Sequence, residues 1–452
     1  MSKQNNPDVL IIGGGVAGLA AAVDCSSRGL SVLLLEQKPR LGGRTYSFIH
    51  QETGDEVDNG QHLMMGCYHS TLKFLRLIDR INSVSIQKNL SITFRRTNQG
   101  ASTLSAVNLP APLNVFFGLL RLNTLTISER LSLLRIGLEL IIRNSDSNKH
   151  LQSITVDQWL DEMKQPTANR KYLWNIISIG ALNDVTDKIS AALFVKVLKS
   201  AFFGKKINSS IVIPKCGLSS VLVDGAAEFI QKHQGKILLD TSITKTEMLN
   251  STVQNVHLDG GEVVSPKTVI SAVPYFDIPK IFDKPEDIGL KNLDKLVPSP
   301  IISIHLWFDV HFMEEEFVAL IDSPIHWVFN KSKIYGKAHE GLMYLALVIS
   351  GAHNLIENDK EQLVQMAHKE LQQFYPTASV AAIVHSLIIK EKRATFSPMV
   401  GVEQFRPSNE TSIKNLFLAG DWTNTKLPAT IEGAVQSGFA CSELVKQYLQ
   451  HD

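Results

Sequence analysis

The chain has 452 residues, 44% hydrophobic and 20% charged, which supports a large core and excludes wholesale disorder. Lys+Arg 45 against Asp+Glu 44 leaves a net charge of +1, so a protein built to grip nucleic acid is excluded and no nucleic-acid partner is expected. The mean hydropathy, +0.03, is slightly high for a soluble chain of this size.

Asp8–Ile12 is a short apolar run that ends in glycine, and it predicts a buried parallel strand. Val16–Arg28 is Ala-rich and stops at Gly29, which predicts a helix. Ser31–Glu36 predicts a second buried strand. Together these form the opening unit of a doubly wound sheet. Residues 111–143 are helical in pattern and unusually apolar, with arginines at 121, 130, 135 and 143. Residues 155–205 are also mostly helical. Strand-like pieces follow a helix between 218 and 273, with a turn at Asp259–Gly261. Residues 301–310 and 342–350 read as strands, and a helix covers about 357–374. A strand at 415–422 and a helix from 430 close the pattern.

The cysteines at 25, 67, 216 and 441 form no CxxC pair and fit no zinc or iron–sulfur spacing. No metal is expected, and the thiols are expected to be reduced. The polar start has no basic-then-apolar leader, which predicts a cytoplasmic protein. No uncharged apolar run reaches about 18 residues, so no transmembrane helix is expected.

Gly13, Gly15 and Gly18 follow a strand and open a helix. The first permits a tight turn, the second lets backbone approach a pyrophosphate, and the third lets helix and strand pack closely. Val16 and Ala17 belong to the helix N-terminus, where unpaired N–H groups favour phosphate. Glu36, followed by Gln37, ends the second strand where a carboxylate can accept a ribose hydroxyl. Gly42 and Gly43 allow a second close approach of backbone to cofactor, with Arg44 beside them. Gly420 and Asp421 end the last strand, where Asp421 can bond a polyol chain. Thr430, Ile431 and Ala434 open the final helix, whose dipole can stabilise a reduced flavin.

Asp58-Asn59-Gly60-Gln61-His62 is the densest polar cluster. Gly60 allows a ring to come close, and Gln61 and His62 are candidates for the reacting face. His62 is the one member that titrates near neutral pH. His305 and His326 are expected to be core or wall histidines. Trp307, Trp327 and Phe308 suit a core or a lipid tunnel. The 121–143 arginines suit a solvated helix face or an anionic lipid surface.

Taken together, these motifs resemble the flavin-containing amine oxidase and phytoene desaturase superfamily over nearly the whole chain. The resemblance implies an α/β fold: a Rossmann-like FAD-binding domain with an interleaved α+β substrate domain. FAD segments are expected at 1–80, 208–275 and 394–452. Substrate segments are expected at 81–207, mostly helical, and 276–393, mixed. It also implies Glu36 on the adenosine ribose, Arg44 near the pyrophosphate, Ile243 at the adenine end through its backbone, and Asp421 on the ribityl. The segments DNGQHLMMGCY, GALNDVTDKISAALFVKVL, IHLWFD and GDWTNTKLPATIEGAVQSG are similar to squalene-associated FAD dehydroxylases. That implies reductive removal of the hydroxyl of hydroxysqualene to give squalene. The segment ALNDV departs from that group's pattern, where Thr-Pro is expected after the Asn.

The lysine that amine oxidases carry near the flavin falls at about Ser303 here, with no lysine between 296 and 330. No cysteine lies in 394–418, so noncovalent FAD is expected. The chemistry needs a proton donor, a dry pocket and a held flavin. His62 is the first candidate acid, with Asp184 or Asp58 second. Val115–Leu120, Leu193–Val197, Phe202, Trp307 and Trp327 are candidate walls for a long-chain isoprenoid. An external nicotinamide or quinone is expected to reduce the flavin, and peripheral contact with the inner face of the cell membrane is expected. The alternatives are a carotenoid or phytoene-type desaturase, another amine-oxidase-like flavoenzyme, or a flavin-binding scaffold without catalysis.

Overall fold

A computed structural model describes residues 6–97, 100–142, 148–337 and 341–451. Arg143 lies outside the described residues. Four apolar strands, Val9–Ile12, Val32–Leu35, Thr268–Ser271 and Leu416–Leu418, are buried on both faces, as a parallel sheet requires. With Lys236–Leu238 they form a five-stranded parallel sheet. Its order is 236–238, 32–35, 9–12, 268–271, 416–418. Three distant stretches of chain therefore meet in one sheet.

The helix Val16–Ser27 is alanine-rich because another helix crosses it closely. The final helix, Ile431–His451, lays Gly438 against it, and a Cβ at Gly438 would stand 2.3 Å from the Ala17 carbonyl oxygen. Glu432, in the first turn of the final helix, reaches a third helix, His69–Leu77. Its carboxylate accepts from the Ser70 and Thr71 N–H groups at 2.9 and 2.8 Å and from the Thr71 hydroxyl at 2.8 Å. An anion is thus seated on helix N–H groups that have no partner within the helix.

The second layer is a seven-stranded sheet in the order 383–396, 298–308, 343–350, 327–330, 317–320, 91–96, 100–105. All pairs are antiparallel except 317–320 with 91–96. The 81–207 stretch is mostly helical, and its hairpin Ser91–Arg96 and Gly100–Ser105 extends this sheet. The strand Ile383–Phe396 runs through the boundary expected at 393/394. Helices Leu113–Leu120, Ile127–Ile142, Asn175–Leu182, Ala191–Phe202 and Lys360–Phe374 belong to this part of the chain, the last packing on the sheet. Among the described residues, no helix is long and apolar enough to cross a membrane. No cluster of three His, Cys, Asp or Glu there is able to hold a metal ion.

His326 is half-buried just before the strand Trp327–Asn330, and its Nδ1 accepts from the Ser350 N–H at 3.1 Å. Burial pushes its pKa down to about 4. The unfolded chain therefore binds the extra proton first, and stability is lost as pH falls from about 6.5 through about 4. The expected loss between pH 6.5 and 5 is about 2 kcal/mol. Thermal unfolding of wild type and His326→Gln at pH 7.5 and 5 checks this, and the variant should show the smaller drop.

Candidate active site

The glycine turn behaves as three different glycines. Gly13 has φ +106°, and a Cβ there would press on the Ala272 carbonyl at 3.0 Å. A Cβ at Gly18 would stand 2.0 Å from the Gly13 carbonyl oxygen. Gly15 has φ −73°, and a Cβ there would meet nothing within 4 Å. Gly13 and Gly18 are thus required by packing, whereas Gly15 faces open space. The helix beginning at Val16 and Ala17 has no side-chain cap, so its first N–H groups remain available to an anion.

Glu36 Oε2 accepts from the Gly14 N–H at 2.8 Å, and Oε1 accepts from the Lys38 N–H at 2.9 Å. A carboxylate has further acceptor capacity for ribose hydroxyls. Gln37 is exposed next to it. The Thr241 N–H donates to the Glu36 carbonyl at 3.0 Å, which brings the start of strand Ile243–Leu249 alongside. Gly42 and Gly43 fold against Gly14 and Gly15, and the Gly42 N–H donates to the Gly14 carbonyl at 2.8 Å.

Arg44 donates to Asp421 Oδ1 at 2.7 Å and to the Ala394 carbonyl at 2.5 Å. The two residues line a cavity with Tyr275, Arg393, Thr395 and Trp422. The Gly420 N–H donates to Ser437 Oγ on the final helix at 2.8 Å. Thr430 caps that helix by accepting from the Gly433 N–H at 3.1 Å, which leaves Ile431 and Ala434 in the first turn. Arg406 is buried and holds the 421–427 loop. It donates to the Asp421, Thr423 and Leu427 carbonyls at 3.0, 2.5 and 2.7 Å. No local motif marks this arginine.

The 58–62 cluster joins this site through Asn59, whose amide donates to the Arg44 carbonyl at 3.2 Å. A Cβ at Gly60 would lie 3.7 Å from Ser303 Oγ. His62 Nδ1 lies 2.7 Å from the Gly60 carbonyl oxygen. A carbonyl only accepts, so Nδ1 carries the proton and Nε2 is the available acceptor. Burial lowers the His62 pKa, with help from Arg44 and Lys331 and against the Gly60 bond and Asp58. The imidazole is neutral at pH 7.

Asp58 and Asp184 do not suit the role of second acid. Asp58 accepts from four donors: Lys331 Nζ at 2.9 Å, Tyr335 OH at 3.0 Å, Ser47 Oγ at 2.8 Å and the Leu218 N–H at 2.8 Å. Burial opposes its charge, but Lys331 and these bonds hold the carboxyl below its usual range. Asp184 accepts from the Val185 N–H, His353 Nε2 and Ser397 Oγ. None of those partners belongs to 58–62, and Asp184 ties a helix end to the large sheet. Trp307 is not a tunnel wall. Its Nε1 donates to Asp55 at 2.7 Å, and its ring is stacked between His50 and Tyr344. Val115, Leu193, Phe194 and Val195 are core, whereas Trp327 is half-buried against Gly180.

Lys331 stands one position beyond the lysine-free stretch 296–330. It follows the strand Trp327–Asn330 and is fully buried. A lysine placed directly after an apolar strand was its only local signal.

Gly15 and Gly18 can be separated by experiment. Gly15→Ala should leave the melting temperature of flavin-free protein within about 2 °C and abolish flavin retention. Gly18→Ala should cost flavin-free protein about 2 kcal/mol, because the new methyl overlaps backbone. Calorimetry and flavin absorbance after gel filtration check both.

The sequence profile described as flavin containing amine oxidoreductase matches residues 16–446. A 15-cis-phytoene desaturase from an Oncidium hybrid cultivar is 28% identical, covering 97% of this chain and 78% of its own. A hydroxysqualene dehydroxylase from Zymomonas mobilis is 26% identical, covering 96% of this chain and 98% of its own. The crystal structure of an oxidoreductase from Methanosarcina mazei shares the fold, with TM-score 0.73 at 17% identity, over 96% of this chain and 99% of that one. The open glycine turn, the free helix N-terminus and the placed Glu36 fit a dinucleotide. The chain belongs to the flavin-containing amine oxidoreductase family and is an FAD-dependent oxidoreductase.

Proposed function

We propose that the protein removes the hydroxyl of hydroxysqualene reductively, giving squalene and water. The observation that carries this is the uncommitted Nε2 of a half-buried, neutral His62 beside Gly60. The near full-length match to a dehydroxylase supports it. When bound noncovalently and reduced by an external nicotinamide or quinone, FAD supplies the hydride that replaces the hydroxyl. The C–O bond breaks, and the oxygen leaves with one added proton. His62 takes that proton from solvent at Nε2 and passes it to the oxygen. Asp58 stays ionised and fixes the cluster. The same scaffold run as an oxidation is a phytoene-type desaturase, a reading favoured by relatives of equal similarity.

Incubating reduced protein with hydroxysqualene should yield squalene. Desaturation of phytoene with an added oxidant, and no squalene, would establish the alternative. Because the His62 pKa lies below about 6.5, its acid form grows as pH falls. The turnover rate should rise from pH 7.5 to 5.5. His62→Asn should lower kcat by about 10²-fold and flatten that profile.

We propose further that the substrate enters from a membrane surface on the cytoplasmic side. Ile127, Leu131, Leu134, Leu138 and Ile141 lie four and three apart on one helix face, and all are exposed. Phe117 and Leu113 on the neighbouring helix are exposed as well, with Arg121 and Arg135 also exposed. Apolar side chains with arginines suit the interface of an anionic bilayer. In a flotation assay, protein should rise with anionic phosphatidylglycerol vesicles. Leu131→Ser with Leu138→Ser and Ile141→Ser should remove most of that binding without changing the melting temperature by more than about 3 °C.

A further inference from the structure

Lys331 has no part in the reaction described so far. Its ammonium carries three protons and is 1% exposed. One proton goes to Asp58 Oδ2 at 2.9 Å and one to Gln61 Oε1 at 2.5 Å. The ammonium also stands 4.0 Å from the centre of the Tyr335 ring, which accommodates the third. An ammonium has no lone pair, so it can meet only the carbonyl end of the Gln61 amide. The amide orientation is thereby settled, with Oε1 toward Lys331 and Nε2 turned away.

Among the described residues, the Nε2 protons of Gln61 reach only the His62 carbonyl, at 3.5 Å, too long for a firm bond. Gln61 is half-buried, beside Gly60 and His62. Asp58 is held by four donors and has no freedom to turn toward the amide. The outward face of Gln61 therefore offers donors and no acceptor.

We propose that Lys331, through Asp58 and Gln61, makes this face a recognition site for one acceptor oxygen on an otherwise apolar ligand. The site then selects an isoprenoid alcohol over the matching hydrocarbon. This rests on the isoprenoid substrate proposed above and narrows it to the alcohol oxygen. Gln61 makes the contact, and Lys331 is a positioning residue. A donor left without its oxygen on binding a hydrocarbon is the source of the discrimination.

The test is equilibrium binding to oxidised, FAD-loaded protein, followed by the change in flavin absorbance. Wild type should bind hydroxysqualene about tenfold more tightly than squalene. Gln61→Glu keeps its contact with Lys331 but has no N–H, and it should lose the preference with squalene binding unchanged. Lys331→Met alone leaves a buried carboxylate unpaired and risks misfolding. Lys331→Met combined with Asp58→Asn removes both charges, should keep the fold and flavin, and should reduce the preference below about twofold. A wild type that binds alcohol and hydrocarbon equally, or a Gln61→Glu variant that keeps the full preference, overturns the inference. Turnover is measured separately. Preference without conversion upholds the site and removes the proposed reaction. Conversion at an unchanged rate and preference in Gln61→Glu overturns the site and leaves the reaction.

Discussion

One buried ion pair pins the site together. Asp58 ends the hairpin strand Glu56–Asp58, and Lys331 opens the short helix Lys331–Tyr335 behind the seven-stranded sheet. Asp58 also takes the Leu218 N–H from the chain leading into the helix Asp224–Lys232. Three parts of the fold therefore converge on one carboxylate. Burying two charges is unfavourable unless each is well partnered, and here Asp58 has four donors and Lys331 has two acceptors and the Tyr335 ring. Losing one partner typically costs about 3–5 kcal/mol, which makes the arrangement rigid as well as specific.

The cofactor side is built on a different constraint, the closeness of backbone to backbone. Gly13 and Gly18 let the first strand and first helix nearly touch, and Gly42 and Gly43 lay a second loop over the same turn. Gly15 is left open above them. Arg44 then spans from this loop to Asp421, which Arg406 holds in place from below through its carbonyl. This candidate surface is thus assembled from short-range packing at one end and from the half-buried Arg44 and the buried Arg406 at the other.

The large sheet presents Ser303, His305 and Trp307 from alternate positions of one strand. Trp307 and His305 are engaged by Asp55 and Tyr344, and burial pushes the His305 pKa down to about 3. The strand therefore offers neutral, immobile groups near Gly60. The cation in this region arrives from Lys331, behind the cluster and paired with Asp58. A lysine in the strand itself would present a hydrated point charge to the reacting face. A lysine behind it instead fixes the orientation of an amide, which suits an apolar ligand with a single oxygen.

What the sequence by itself determined was local. The glycine spacing, Glu36 at the strand end, the double glycine before Arg44 and the terminal Gly420–Asp421 turn all follow from steric rules that act over a few residues. The same holds for the buried parallel strands, whose apolar runs are unbroken. Tertiary structure decided the rest, because the deciding contacts span hundreds of residues. Lys331 and Asp58 are 273 positions apart, and Asp184 and Ser397 are 213 apart. No period or motif records such a pairing. An aspartate reads the same in sequence whether it is a free acid or, as Asp58 and Asp184 are here, fully engaged by donors. Only the fold, by removing water and supplying those donors, separates the two.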